Sequence, residues 1–91
     1  MALTPDQLNE AADIVARSDS VRAAAAQLRA RFAPLRALVV DADDLRGETP
    51  VREVALEQGG ARALHLMATD GHCWVVTQDP CQASALVLSQ A

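Results

Sequence analysis

The chain reads as a single α+β domain in the order ααββββα, an N-terminal helical hairpin packed on a small antiparallel sheet. Three observations predict this. Residues 5–32 carry two apolar stripes at helical spacing, each preceded by good N-cap residues. Residues 35–78 carry short apolar runs broken by Gly59-Gly60 and Asp70-Gly71. The length, 91 residues, supports one core and no second. The expected division is a helical hairpin over 1–33, a sheet of about four strands over 35–78 whose last three form a meander, and a short C-terminal helix or strand over 79–91.

The first helix opens at Thr4-Pro5-Asp6-Gln7, with Thr4 as N-cap, Pro5 at the first helical position, an early acid and Gln7 completing a capping box. Leu8, Ala11, Ala12 and Val15 give its stripe, which Ile14 widens, and it should run to about Arg17. Ser18-Asp19-Ser20 offers new caps for a second helix over residues 20–32, with Val21, Ala24, Ala25, Leu28 and Phe32 inward and Pro34 beyond its end.

Leu35 to Asp41 is apolar and rich in β-branched residues, the first strand. Residues 42–50 are polar and contain Gly47 and Pro50, a loop. Residues 51–57 and 61–69 pair across a three-residue turn, Gln58-Gly59-Gly60, which sets Val54 opposite Leu64 and Leu56 opposite Arg62. Ala61 to Gln78 forms a second hairpin about Asp70-Gly71, since both central positions of a type I′ turn take positive φ. Asp79-Pro80-Cys81-Gln82 repeats the helix-start pattern, and Ala83, Leu86 and Val87 then fit a helical stripe, although Leu86-Val87-Leu88 also fits a strand. The helix is the favoured reading.

Composition narrows the function. Half the residues are apolar, yet the aromatics are only Phe32 and Trp74, so the core is thin and aliphatic and dimerisation is a reasonable default. A net charge of -4 opposes nonspecific nucleic-acid binding, which needs a net basic face. The five arginines within residues 17–36 meet a net acidic stretch over 37–58, so a basic second helix beside acidic neighbours accounts for them. A helix-turn-helix reading also fails for lack of a glycine in the turn and of base-reading amides. No signal peptide or apolar run of membrane-spanning length is present, which points to a cytoplasmic protein without a membrane partner. Two cysteines are too few for a disulfide scaffold.

Asp41-Ala42-Asp43 after an apolar strand resembles the first motif of haloacid-dehalogenase-type phosphatases, which implies a nucleophilic first Asp and an acid/base second Asp over Mg²⁺. The resemblance covers these residues alone: Leu45 stands where Thr or Val is expected, and the chain has no room for the alternating βα units of that fold. Asp41, Asp43, Asp44 and Glu48 could supply oxygen ligands to a divalent cation, against the commoner case of a solvated acidic loop.

His65, His72, Cys73 and Cys81 have the residue types of a metal or thiol site. With a two-residue turn, Met67 faces Trp74 and His65 faces Val76, so His65, Met67, His72, Trp74 and Val76 share one face while Leu64, Leu66, Cys73 and Val75 share the other. The two histidines then stand about 14 Å apart, too far to ligate one zinc ion within a protomer. Cys81, in the first turn of a capped helix, is the candidate reactive thiol.

The expected function is a non-catalytic protein-interaction or regulatory module without a cofactor, partnered by itself as a homodimer or by another protein. Its candidate surface is the patch His65, Met67, His72, Trp74 and Val76. Two other readings stay open: a metal- or thiol-dependent accessory protein using Cys81, Cys73, His65 and His72, and a small-ligand-binding regulatory domain.

Overall fold

The computed structural model describes residues 3–57, 59–69 and 71–90. Helix α1 spans Pro5–Arg17 and α2 spans Val21–Arg31, as the stripes require. The capping box is present: Thr4 Oγ1 accepts from Gln7 N at 3.1 Å, and Gln7 Oε1 accepts from Thr4 N at 2.9 Å. Such a cap stabilises a helix by about 1 kcal/mol. Ser20 caps α2 by accepting from Ala23 N at 3.0 Å. Leu8, Ala11, Ile14 and Val15 of α1 and Ala24, Ala25 and Leu28 of α2 are buried. A Glu10–Arg31 ion pair at 2.6 Å ties the helices together, but both groups are well exposed and it adds less than about 1 kcal/mol. No helix among the described residues is long and apolar enough to cross a membrane.

Five strands follow: β1 Arg36–Val39, β2 Arg52–Ala55, β3 Ala61–Thr69, β4 Trp74–Thr77 and β5 Ala85–Gln90. The α+β class therefore holds, with two corrections. The sheet is mixed rather than antiparallel, because β1 runs parallel to β5. The C-terminal element is a strand rather than the favoured helix: Asp79 caps only a three-residue 3-10 turn, Pro80–Gln82, and the chain then extends. The order is β1-β5-β3-β2, with β4 also pairing β3. Burial explains the strand. Leu86 and Leu88 face the helices while Val87 faces the opposite side, and all three are buried, which a helical stripe would not achieve.

The expected meander is also rearranged. β2 pairs with residues 61–64 of β3 and β4 with residues 66–69, while β5 pairs across residues 62–67. β2 and β4 thus lie end to end along one side of β3, and β5 occupies the other. In the first hairpin the turn closes between Leu56 and Gly60, whose backbones bond at 3.0 Å, one residue earlier than expected. Val54 consequently faces Arg62 rather than Leu64. In the second hairpin Asp70 lies outside the described residues, Gly71 has φ +99°, and Trp74 pairs with Thr69 rather than Met67. Both slips move the pairing by an even number of positions, so each side chain within the paired strands keeps its expected face.

Helices α1 and α2 cover the face formed by Leu64, Leu66, Leu86, Leu88 and Ala37, all buried. Arg62 lies on this face at 4% exposure. Its Nη1 donates to Val15 O at 2.9 Å and Ser18 O at 2.6 Å, and its Nη2 donates to Asp19 O at 3.1 Å. Its Nε donates to Gln90 Oε1 at 3.2 Å. The guanidinium thus satisfies carbonyls at the C-terminal end of α1, where the helix leaves acceptors unpaired and its dipole favours a cation.

The connection from β1 to β2 must travel from one edge of the sheet to the other, and it crosses the face opposite the helices. It contains a 3-10 turn, Ala42–Leu45, within the segment expected to be a loop. Val40 N bonds Leu88 O at one end and Val51 N bonds Leu64 O at the other, each at 2.9 Å. Gln78 Nε2 donates to Thr49 O at 2.8 Å, which holds the middle of the crossover.

Candidate functional site

Four members of the predicted patch share a face but not a common exposure, and the fifth, His72, lies outside the strands. His65, Met67, Val76 and Trp74 project to the face away from the helices. His65 is 3% exposed, a correction to its place on a displayed surface, because the β1–β2 crossover lies over it. Met67 and Val76 are half-buried, while Trp74 is 45% exposed. His72 is exposed in the loop before β4, and the side chains of Cys73 and Cys81 are exposed and form no disulfide. Cys81 N donates to Asp79 Oδ1 at 3.0 Å, so the expected cap exists, but it leads into a turn too short to focus a helix dipole.

Val75 was expected on the core face. It does point to that side, yet it is 57% exposed, because the helix layer does not reach over it. Trp74 and Val75 therefore project from opposite faces of β4, a strand that among the described residues pairs with β3 alone. The other edge of the sheet, β1, exposes Leu38 at 43%. There Arg29 Nε donates to Ala37 O at 2.9 Å, occupying a carbonyl that points away from β5.

The four acids of the expected cation loop diverge. Asp43 pairs with Arg46 at 2.8 Å on the surface. Asp41 and Asp44 border an open cleft of about 640 Å³ together with Arg22 and Arg29 of α2. Glu48 lies instead on the far face, beside His65. Among the described residues, no three His, Cys, Asp or Glu side chains are placed to hold a metal ion.

The arrangement that sequence reasoning missed lies under the crossover. A pocket of about 160 Å³ is bordered by Leu45, Glu48 and Pro50 of the crossover, Glu53 of β2, His65 of β3 and Ser89 of β5. Ser89, like His65, is 3% exposed. Both ring nitrogens of His65 are buried without a hydrogen-bond partner. A neutral imidazole carries one donor and one acceptor, and each buried polar atom left unsatisfied costs about 1–3 kcal/mol. The signal was a single histidine in the otherwise apolar run Ala63 to Ala68, but its meaning depended on which side of the sheet the crossover takes. Glu53 and Ser89 were out of reach of local reasoning because β2 and β5 meet at β3 only in the folded chain.

Comparison with protein-family models, with curated proteins and with solved structures finds no match. Function rests on these geometries.

Proposed function

We propose that the chain is a non-catalytic interaction module that works as a homodimer joined through the open edge of β4. The observation that carries this reading is the coincidence of an open edge with exposed apolar side chains: among the described residues β4 pairs with β3 only, and its Trp74 and Val75 are 45% and 57% exposed. Edge strands of monomers are normally blunted by charge, proline or a covering side chain, because free backbone donors and acceptors invite another strand. The run Trp74-Val75-Val76-Thr77 has no such device. The opposite edge does: Arg29 occupies a β1 carbonyl, and Arg36 and Asp41 flank the strand with charge.

A two-fold axis through antiparallel β4 strands extends the sheet into a partner copy and brings both sets of Trp74 and Val75 into contact, a self-complementary arrangement. A protein partner also suits a surface of net charge -4 better than nucleic acid does. Sedimentation equilibrium tests the reading. The chain is expected to sediment as a dimer at about 100 µM, an affinity typical of modest interfaces. Val75→Lys is expected to give a monomer with an unchanged circular dichroism spectrum. A wild-type chain that stays monomeric at that concentration, or a Val75→Lys dimer, overturns the proposal.

A further inference from the structure

We infer that the open cleft between α2 and the edge of β1 binds a free peptide of three or four residues, held in extended form by its two charged termini. The cleft encloses about 640 Å³, inside the range of roughly 300–1,000 Å³ typical of small-ligand sites. Its charges stand at opposite ends. Arg29 is anchored near the start of β1, where its Nε donates to Ala37 O at 2.9 Å. That bond fixes the plane of a guanidinium whose two Nη groups make no hydrogen bond or ion pair among the described residues, a fork ready for a carboxylate. Asp41 and Asp44 border the other end, just past the strand, and neither is in an ion pair among the described residues. The short link from α2 to β1 reverses the chain, so Arg22, two helical turns before Arg29, lies toward these acids. Two carboxylates against one guanidinium leave that end net acidic, suited to an ammonium group.

Length and backbone pairing select a peptide. Ala37 and Asp41 are separated by about 13 Å of extended chain at ~3.3 Å per residue. A single amino acid carries both charges on one carbon and reaches one end only. Three extended residues span about 10 Å, and a hydrogen bond at each terminus closes the rest. The backbone of β1 is open at the matching place. Successive residues of a strand turn their N–H and C=O to alternate sides. Val40 N bonds Leu88 O of β5, while Ala37 O is turned outward to Arg29, so Val39 also turns both its backbone groups away from β5. A peptide with its ammonium beside Asp41 and Asp44 and its carboxylate on Arg29 runs antiparallel to β1 and exchanges two hydrogen bonds with Val39. Leu38, Val39 and Ala25 give its side chains apolar contact. The charges that keep a second copy off this edge are the ones that free peptide termini satisfy, so the site is separate from β4 and does not depend on dimerisation.

Nuclear magnetic resonance of the full-length chain, read at its backbone amides, tests this with trialanine, acetyl-trialanine, trialanine amide and free alanine as probes. Trialanine is expected to shift the Leu38, Val39 and Val40 signals saturably, with a Kd of about 1 mM. Each singly blocked peptide is expected to bind about tenfold more weakly, the loss of one charge-assisted contact. Asp41 and Asp44 are exposed, and Asp41 makes no capping bond through its side chain, so neutralising both spares the fold. The double variant Asp41→Asn, Asp44→Asn is therefore expected to weaken trialanine about tenfold and to leave acetyl-trialanine, which has no ammonium, unchanged. Four outcomes overturn the inference: no saturable shift with trialanine, blocked peptides that bind as tightly as trialanine, free alanine that does so, or a double variant that weakens trialanine and acetyl-trialanine equally. Shifts confined to Trp74–Thr77 overturn it as well, because the peptide would then sit on β4.

Discussion

Arg62 and His65 are three positions apart on β3, and both are charged or polar residues buried almost completely, yet their energetics are opposed. Arg62 spends four hydrogen bonds on three backbone carbonyls and Gln90, which fastens the end of α1 to the sheet. Replacing it by methionine keeps most of the buried stem but leaves those carbonyls unpaired. Arg62→Met is expected to cost about 3 kcal/mol in urea denaturation. Arg62→Lys is expected to recover less than half of that, because a single ammonium cannot span three acceptors that a planar guanidinium reaches. A loss under about 1 kcal/mol for Arg62→Met would mean that water substitutes for the guanidinium.

The His65 ring makes no hydrogen bond among the described residues. Its two unsatisfied nitrogens cost stability, so His65→Leu is expected to raise the stability of the unliganded protein by about 1–2 kcal/mol in the same measurement. The sequence exposed both residues as polar interruptions of an apolar strand, and alternation correctly put them on opposite faces. It could not show that one face ends against helix carbonyls and the other under the β1–β2 crossover.

At the scale of elements, what was legible was local. Thr4-Pro5-Asp6-Gln7 defines its helix start within four residues, and the capping box forms as read. Asp79-Pro80-Cys81-Gln82 has the same pattern and yields one 3-10 turn, because the residues after it are claimed by two neighbouring strands. The run Leu86-Val87-Leu88 is compatible with helix or strand on its own; pairing on both sides decides for strand. β5 therefore carries a prediction. Deleting residues 85–91 removes the strand between β1 and β3 together with Leu86 and Leu88 from the core. The truncated chain is expected to lose its cooperative thermal transition, since each buried leucine alone contributes about 2–5 kcal/mol to a domain stable by about 5–15 kcal/mol. A truncated chain that still melts cooperatively would show that β1 can re-pair with β3 directly.

The molecule as a whole is arranged so that its last strand lies centrally and its two outer edges differ. β1 is guarded by Arg29 and flanking charge, whereas β4 presents Trp74 and Val75. A dimer through β4 makes the melting temperature rise with protein concentration, by mass action, and the Val75→Lys variant is expected to lose that dependence. The candidate surface was half legible. Alternation puts Trp74 on the face opposite the leucines that the helices cover, and Val75 on the core face on the assumption that the helices span the whole sheet. Two helices of 13 and 11 residues do not cover a strand that begins beyond the end of β2.

The sequence by itself determined the helices and their caps, the face on which each strand residue lies, and the thin aliphatic character of the core. These depend on interactions over a few residues, or on a two-residue alternation that survives a slipped turn. Only the tertiary structure decided that residues 85–90 form a strand parallel to β1, that the crossover buries His65, and that β4 stands outside the helix layer. Each of those requires segments distant in the sequence to compete for the same face or edge, and that competition is settled by packing rather than by local preference.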